Sequence, residues 1–271
     1  MNNDSPLKAF LVIVLTAMVC SSLVSATVVM LRPIQLNNQI LDRSRNIMKL
    51  TGLVEKGMTP GDEEMLELFR GMDVRIVDID QAVFNNELDP LSFDQRRAAN
   101  NPDLGVDVPP DQDLSSLGRR SRFATIYIVL RDSELERLIL PVHGAGMWSM
   151  IYGYIALESD LNTIAAVTFY EQTETPGIGD QILRPEWLAQ WEGRRIYDEV
   201  GDLRFAINHG KVEPGSSTWL YEVDALTGAT VTADAVTSMI HYWFDSHGYR
   251  GFLDFLREQG YGANRTTGST G

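Results

Sequence analysis

Late in the chain the residues read Asp224-Ala-Leu-Thr227-Gly228-Ala229-Thr230-Val-Thr232. Two small residues precede hydroxyl-bearing threonines where a strand-like segment gives way to an amphipathic helix. Gly228 and Ala229 let the backbone approach a ligand closely. The free N–H groups and positive dipole end of a helix start favour a nearby phosphate by about 0.3–1 kcal/mol, and up to about 2 kcal/mol when partly buried. On residue types alone, the same turn also reads as a plain helix start capped by Thr230 or Thr232.

Other chemistries find no support. There is no GxxxxGK[ST] loop, and His143-Gly-Ala-Gly146 lacks the rest of a GxGxxG fingerprint. His241 and His247 are six apart, which does not set two ligands on one helix face, so both read as surface or cap histidines. No GxSxG elbow occurs. Nothing resembles a hydrolase or a metalloenzyme.

The elements that must position the threonines follow from periodicity. Val236, Met239, Ile240, Trp243 and Phe244 form one apolar stripe at helical spacing, predicting a helix that starts near Thr232 and is closed by Gly248. Upstream, 123–130, 137–142, 148–157 and 163–171 are strand-like runs rich in β-branched and aromatic residues. Residues 203–208 and 219–223 predict further strands, and Pro185 opens a short helix. Val74–Ile79 predicts a strand after a helical stretch that begins at Asp62 with acids in its first turn. Residues 80–120 are crowded with turn formers and predict an irregular surface insertion. The fold class is α+β, with flanking helices on a mixed or antiparallel sheet.

The chain has 271 residues, is 44% hydrophobic and 22% charged, and carries a formal charge of −14. That charge argues against nucleic acid, since phosphate backbones need clustered Lys and Arg. The single cysteine, Cys20, excludes a disulfide framework and an all-cysteine iron–sulfur site within this chain. From Ala9 to Leu31 no residue is charged, a run of about 34 Å as helix against a hydrocarbon core of about 30 Å. A cleaved signal ending near Val24-Ser25-Ala26 competes with a retained anchor, but the run exceeds the usual apolar length of such signals. Thr16, Ser21, Ser22 and Thr27 can bond back to helix carbonyls. Arg32, Arg43, Arg45 and Lys49 follow the span; taken literally they place the large domain in the cytoplasm, although long domains often translocate regardless. The predicted organisation is a tail over 1–8, a transmembrane helix over 9–31, a helical connector over 32–61, a soluble domain over 62–260 with a ligand region about 140–248, and a loose tail over 261–271.

The pattern D-x-x-[ST]-G-A-T resembles the flavinylation motif read by the FMN transferase. The stretch from Gly144 to Ile182 is similar to the C subunit of the sodium-translocating NADH:quinone oxidoreductase, an FMN-binding domain family related to the G subunit of the Rnf complex. Thr227 stands where that family commonly has Ser. The resemblance implies FMN joined through its phosphate to Thr230, with Thr227, Gly228, Ala229 and Thr232 around the attachment and Asp224 read by the transferase. It implies a flavin pocket using Trp148 and the turn Glu174-Thr175-Pro176-Gly177 with Ile178. On residue types alone, Trp148 also suits core packing and Glu174 a structural turn. Also implied are an electron relay from an iron–sulfur centre to another FMN, partner subunits, a lipid bilayer, no nucleic acid, and a single-pass place in the bacterial inner membrane with the domain on the periplasmic side. An Rnf-type subunit and a membrane-anchored adaptor without flavin are the alternatives.

Overall fold

A computed structural model of the chain describes residues 6–53 and 61–261. Residues 1–5 of the predicted tail, 54–60 of the connector and 262–271 of the C-terminal tail lie outside the described residues. The chain divides into two compact units, Met1–Arg45 and Asn46–Gly271. Helix α1 (Pro6–Thr51) starts in the first, where Pro6–Leu31 has a mean hydropathy of 2.3 and is long and apolar enough to cross a membrane. Thr16 and Thr27 donate to the carbonyls of Val12 and Leu23 at 2.8 Å each, so these hydroxyls are satisfied within the helix. The apolar span and the first part of the helical connector expected over 32–61 are one continuous element, and Gly52, at φ +71°, ends it.

The second unit takes in the last turn of α1, whose Ile47, Met48 and Leu50 are buried. It continues with α2 (Asp62–Arg70), β1 (Asp73–Asp78), β2 (Val83–Asn85), α3 (Gln95–Ala99), β3 (Gly105–Asp107) and β4 (Arg119–Ser121). Four long strands follow, β5 (Phe123–Arg131), β6 (Glu134–Ala145), β7 (Met150–Glu158) and β8 (Ile164–Glu171). Beyond them lie a 3-10 turn (Gly179–Leu183), α4 (Pro185–Leu188), β9 (Ala206–Ile207), β10 (Glu222–Val223), α5 (Thr230–Phe244) and α6 (Arg250–Glu258).

Six strands form one sheet in the order β2-β1-β5-β6-β7-β8, and every neighbouring pair is antiparallel. The β5–β6 turn holds Asp132 and Ser133 at φ +52° and +66°, the left-handed pair that a two-residue hairpin requires. One sheet face gives Ile126, Ile128, Leu138, Leu140, Ile151 and Ile155 to the main core with α5 and α6. The other gives Tyr127, Val129, Ile139 and Tyr154 to a second cluster with Ile47, Leu50 and Phe69. Covering both faces makes β5 a nearly continuous apolar run, since alternation marks only half-buried strands.

Several expectations need correction. Residues 80–120 are not a mere surface insertion: they contain β2, α3, β3 and β4. The buried Arg120 reaches back from β4 to donate to the Tyr242 hydroxyl at 3.0 Å. The turn formers there do local work, Asp94 accepting from the first N–H groups of α3 and Asp113 from Leu117 and Gly118. The strands expected over 203–208 and 219–223 shrink to the two-residue β9 and β10, paired in parallel. The last long helix begins at Thr230 and ends at Phe244, and Gly248 lies in the following turn, where a Cβ would come 2.2 Å from the Trp243 carbonyl oxygen. Helix α6, absent from the expectation, buries Phe252, Leu253 and Leu256. Half-buried His143 is pushed down to about 4 by burial and, secondarily, by the positive Arg96, so its ring between Tyr152 and Trp243 stays neutral at physiological pH.

Candidate functional site

The segment from Asp224 to Thr232 is held from behind. Trp187 donates its indole N–H to the Asp224 carbonyl at 2.9 Å, and the Gln190 side-chain oxygen accepts the Asp224 N–H at 3.0 Å. The Asp224 carboxylate accepts the Val212 N–H at 2.8 Å, so it shapes the loop that leads into the motif. Gly228 then turns the chain at φ +75°, a conformation that costs glycine least. Ala229 is buried, whereas Thr227, Gly228, Thr230 and Val231 are exposed.

Thr230 is the first residue of α5, and no side chain caps that helix. Neither Thr230 nor Thr232 serves as the cap. The Thr232 hydroxyl is buried and donates to Glu174 Oε2 at 2.5 Å. The first helical turn carries no acidic residue, and the Ala233 N–H donates to the Ala229 carbonyl at 3.0 Å. The N–H groups ahead of that bond, at the start of the helix, have no intrahelical carbonyl to meet, and such helix starts favour a nearby phosphate.

Glu174 binds three elements together. It is 4% exposed, its Oε1 accepts the Met147 N–H at 2.9 Å and approaches the Trp148 N–H at 3.4 Å, and its Oε2 takes Thr232. It thus joins the β6–β7 hairpin tip, the turn after β8 and the start of α5. Space for the carboxylate depends on two glycines. A Cβ on Gly146 would lie 2.5 Å from Glu174 Oε1, and one on Gly179 would lie 2.8 Å from Glu174 Cβ and 2.9 Å from Thr232 Oγ1. With both oxygens engaged inside the chain, Glu174 frames the site.

The turn itself is closed by backbone. The Thr175 carbonyl accepts from Ile178 and Gly179 at 3.0 and 2.9 Å, and the Gly177 N–H donates to Asp180 at 2.7 Å. Trp148 is 65% exposed and donates its indole N–H to Thr175 Oγ1 at 3.0 Å, so it is not core. Met147, Ile178 and Val231 are also exposed large apolar side chains on these same segments. Nothing lies within 4 Å of where a Cβ would sit on Gly177 or Gly228. The structure thus brings together Trp148, Glu174, Thr175 and Thr232 by direct bonds, and Thr227 through Gln181, whose side-chain N–H donates to its carbonyl at 2.8 Å. Sequence reasoning missed Met147, Gly179 and Gln181; only the glycine-rich 177–179 stretch hinted at them.

An exposed hydroxyl at an uncapped helix start, open space beside two left-handed glycines, and exposed aromatic and aliphatic surface suit a phosphate-bearing planar ligand such as FMN. His241 does other work, its Nε2 lying 2.7 Å from the Phe205 carbonyl oxygen.

Comparison with known proteins agrees. Residues 146–245 match the FMN-binding domain family. The C subunit of the Na(+)-translocating NADH-quinone reductase of Pseudomonas aeruginosa is 39% identical over 258 residues, 95% of this chain and 98% of that protein. Its namesake from Yersinia pestis is 34% identical over 95% of each chain. The crystal structure of Shewanella oneidensis NqrC superposes with a TM-score of 0.74 at 31% identity, covering 83% of this chain and 99% of that one. Fold, site geometry and similarity along nearly the whole length agree: the chain belongs to the NqrC family, the C subunits of the Na(+)-translocating NADH-quinone reductase.

Proposed function

We propose that the chain carries FMN covalently on Thr230 through a phosphoester and relays electrons inside the quinone reductase, from a membrane iron–sulfur centre to a second FMN in a neighbouring subunit. The single observation that carries this reading is the exposed Thr230 hydroxyl at the uncapped start of α5. When bound, FMN supplies the redox chemistry, and the protein's part is retention, orientation and electrostatics. The N–H groups at the start of α5 would hold the phosphate, Trp148 and Ile178 would offer apolar surface to the ring, and the backbone of the 174–178 turn would offer polar contacts to its edge. An FMN transferase supplies the modification.

The test is direct. Produced together with the FMN transferase, the chain should remain fluorescent on a denaturing gel and gain the mass of one FMN less one water. A wild-type chain that loses all flavin on denaturation would refute covalent attachment and revive the adaptor reading.

The apolar helix anchors the chain in the bacterial inner membrane, and we place the domain on the periplasmic side. Asp111 is exposed. A cysteine there, in a chain whose Cys20 is serine, should react with an impermeant thiol reagent in intact spheroplasts. Reaction only after lysis would put the domain in the cytoplasm.

A further inference from the structure

The 174–181 segment touches the attachment loop at two points. Glu174 takes the Thr232 hydroxyl, two residues after Thr230. Gln181, on the 3-10 turn and 8% exposed, reaches the other side. Its side-chain nitrogen donates to the Ile178 carbonyl at 2.6 Å and to the Thr227 carbonyl at 2.8 Å, three residues before Thr230. One buried carboxamide thus ties the turn flanking the ring site to the peptide that enters Gly228.

We propose that Gln181 is a positioning residue for the flavin, setting the direction in which the Thr230 hydroxyl leaves the surface by fixing the Thr227–Gly228 peptide; the inference rests on attachment at Thr230. The chemistry favours this role. A carbonyl bonded to a buried donor resists rotation, and the Thr227 carbonyl belongs to the peptide whose plane sets the left-handed turn at Gly228. Between the ties, Ala229 is anchored in the core, leaving Thr227, Gly228, Thr230 and Val231 facing outward. The two ties also differ in kind. Glu174 holds the hairpin tip at Met147 as well, so its loss disturbs the frame. Gln181 joins only the two loops that meet the ligand, so its loss changes the pose of the tethered group and leaves the core untouched.

The experiment uses the full-length chain in detergent, produced with the FMN transferase, as wild type, Gln181→Leu and Gln181→Glu. Leucine keeps the bulk and removes both donors; glutamate sets a carboxylate against two carbonyl oxygens. Loading is followed by intact mass, ring mobility by time-resolved fluorescence anisotropy, and the cost to the fold by thermal unfolding in a Thr230→Ala background. The expected result is loading slowed by about tenfold in both variants. Once loaded, their flavin anisotropy should decay faster and their visible circular dichroism weaken, with the unfolding midpoint of Gln181→Leu in the Thr230→Ala background lowered by less than about 4 °C. Wild-type anisotropy and loading in Gln181→Leu would overturn the inference and leave attachment at Thr230 standing. A much larger loss of midpoint in Gln181→Leu would also overturn it, by making Gln181 a structural residue. No label on the wild type would refute the attachment reading, and this inference with it.

Discussion

Thr230→Ala should stop quinone reduction by the assembled complex while NADH oxidation by artificial acceptors upstream continues. The side chain is exposed and makes no hydrogen bond with another described residue, so alanine at this first helical position should shift stability by no more than about 0.5 kcal/mol. Under the proposed attachment, what is lost is the oxygen that would hold the phosphoester. Because no side chain here can stand in for a redox carrier, quinone reduction should fall by at least about a hundredfold. The split between the two assays follows from position, since a carrier in mid-chain interrupts only the steps beyond it. Thr230→Ser keeps a hydroxyl and should retain some label. Full sodium-dependent quinone reduction in the alanine variant would remove Thr230 from the electron path.

The second large effect belongs to Glu174. In Glu174→Ala the Thr232 hydroxyl and the Met147 N–H lose their acceptor at the junction of the hairpin tip, the turn and α5. Each orphaned buried donor costs about 1–3 kcal/mol, and bonds to a charged group stand at the upper end. A loss of about 3–5 kcal/mol follows, lowering the thermal midpoint by roughly 10 °C. Glu174→Gln can still accept from Met147 and turn its amide toward Thr232, so it should lose only about 1 kcal/mol. Thermal unfolding of the unmodified chain separates the two. An alanine variant as stable as wild type would show that the three segments hold together without the carboxylate.

Local signals were the legible ones in the sequence. An uncharged stretch of membrane length needs no partner to be recognised, and the Val236–Phe244 stripe needs only helical spacing. The four strands from Phe123 to Glu171 announce themselves by β-branched residues and short turns. Legibility failed where meaning depends on distant partners. Turn formers over 80–120 disclose that the chain bends, and only the fold shows Arg120 meeting Tyr242, 122 residues on. Helix α6 was passed over because nine residues, with Gly251 at the second, give too short a period to register. Within the candidate site, Thr230 and the 174–178 turn stood out in the sequence through a motif. Gln181 was not, because its role consists of a contact with a carbonyl 46 residues away.

Those separations bear on how the domain comes together in time. Strands β5 to β8 are each neighbours of the next, and β5 and β6 are joined by a two-residue turn. The bonds that close the proposed flavin seat span 27, 46 and 58 residues. Closing longer loops costs more chain entropy, and long-range pairings wait for local ones to lower that cost. A newly made chain is therefore expected to fold its meander before the proposed cofactor seat, with Thr230 reaching its final setting only when α5 docks.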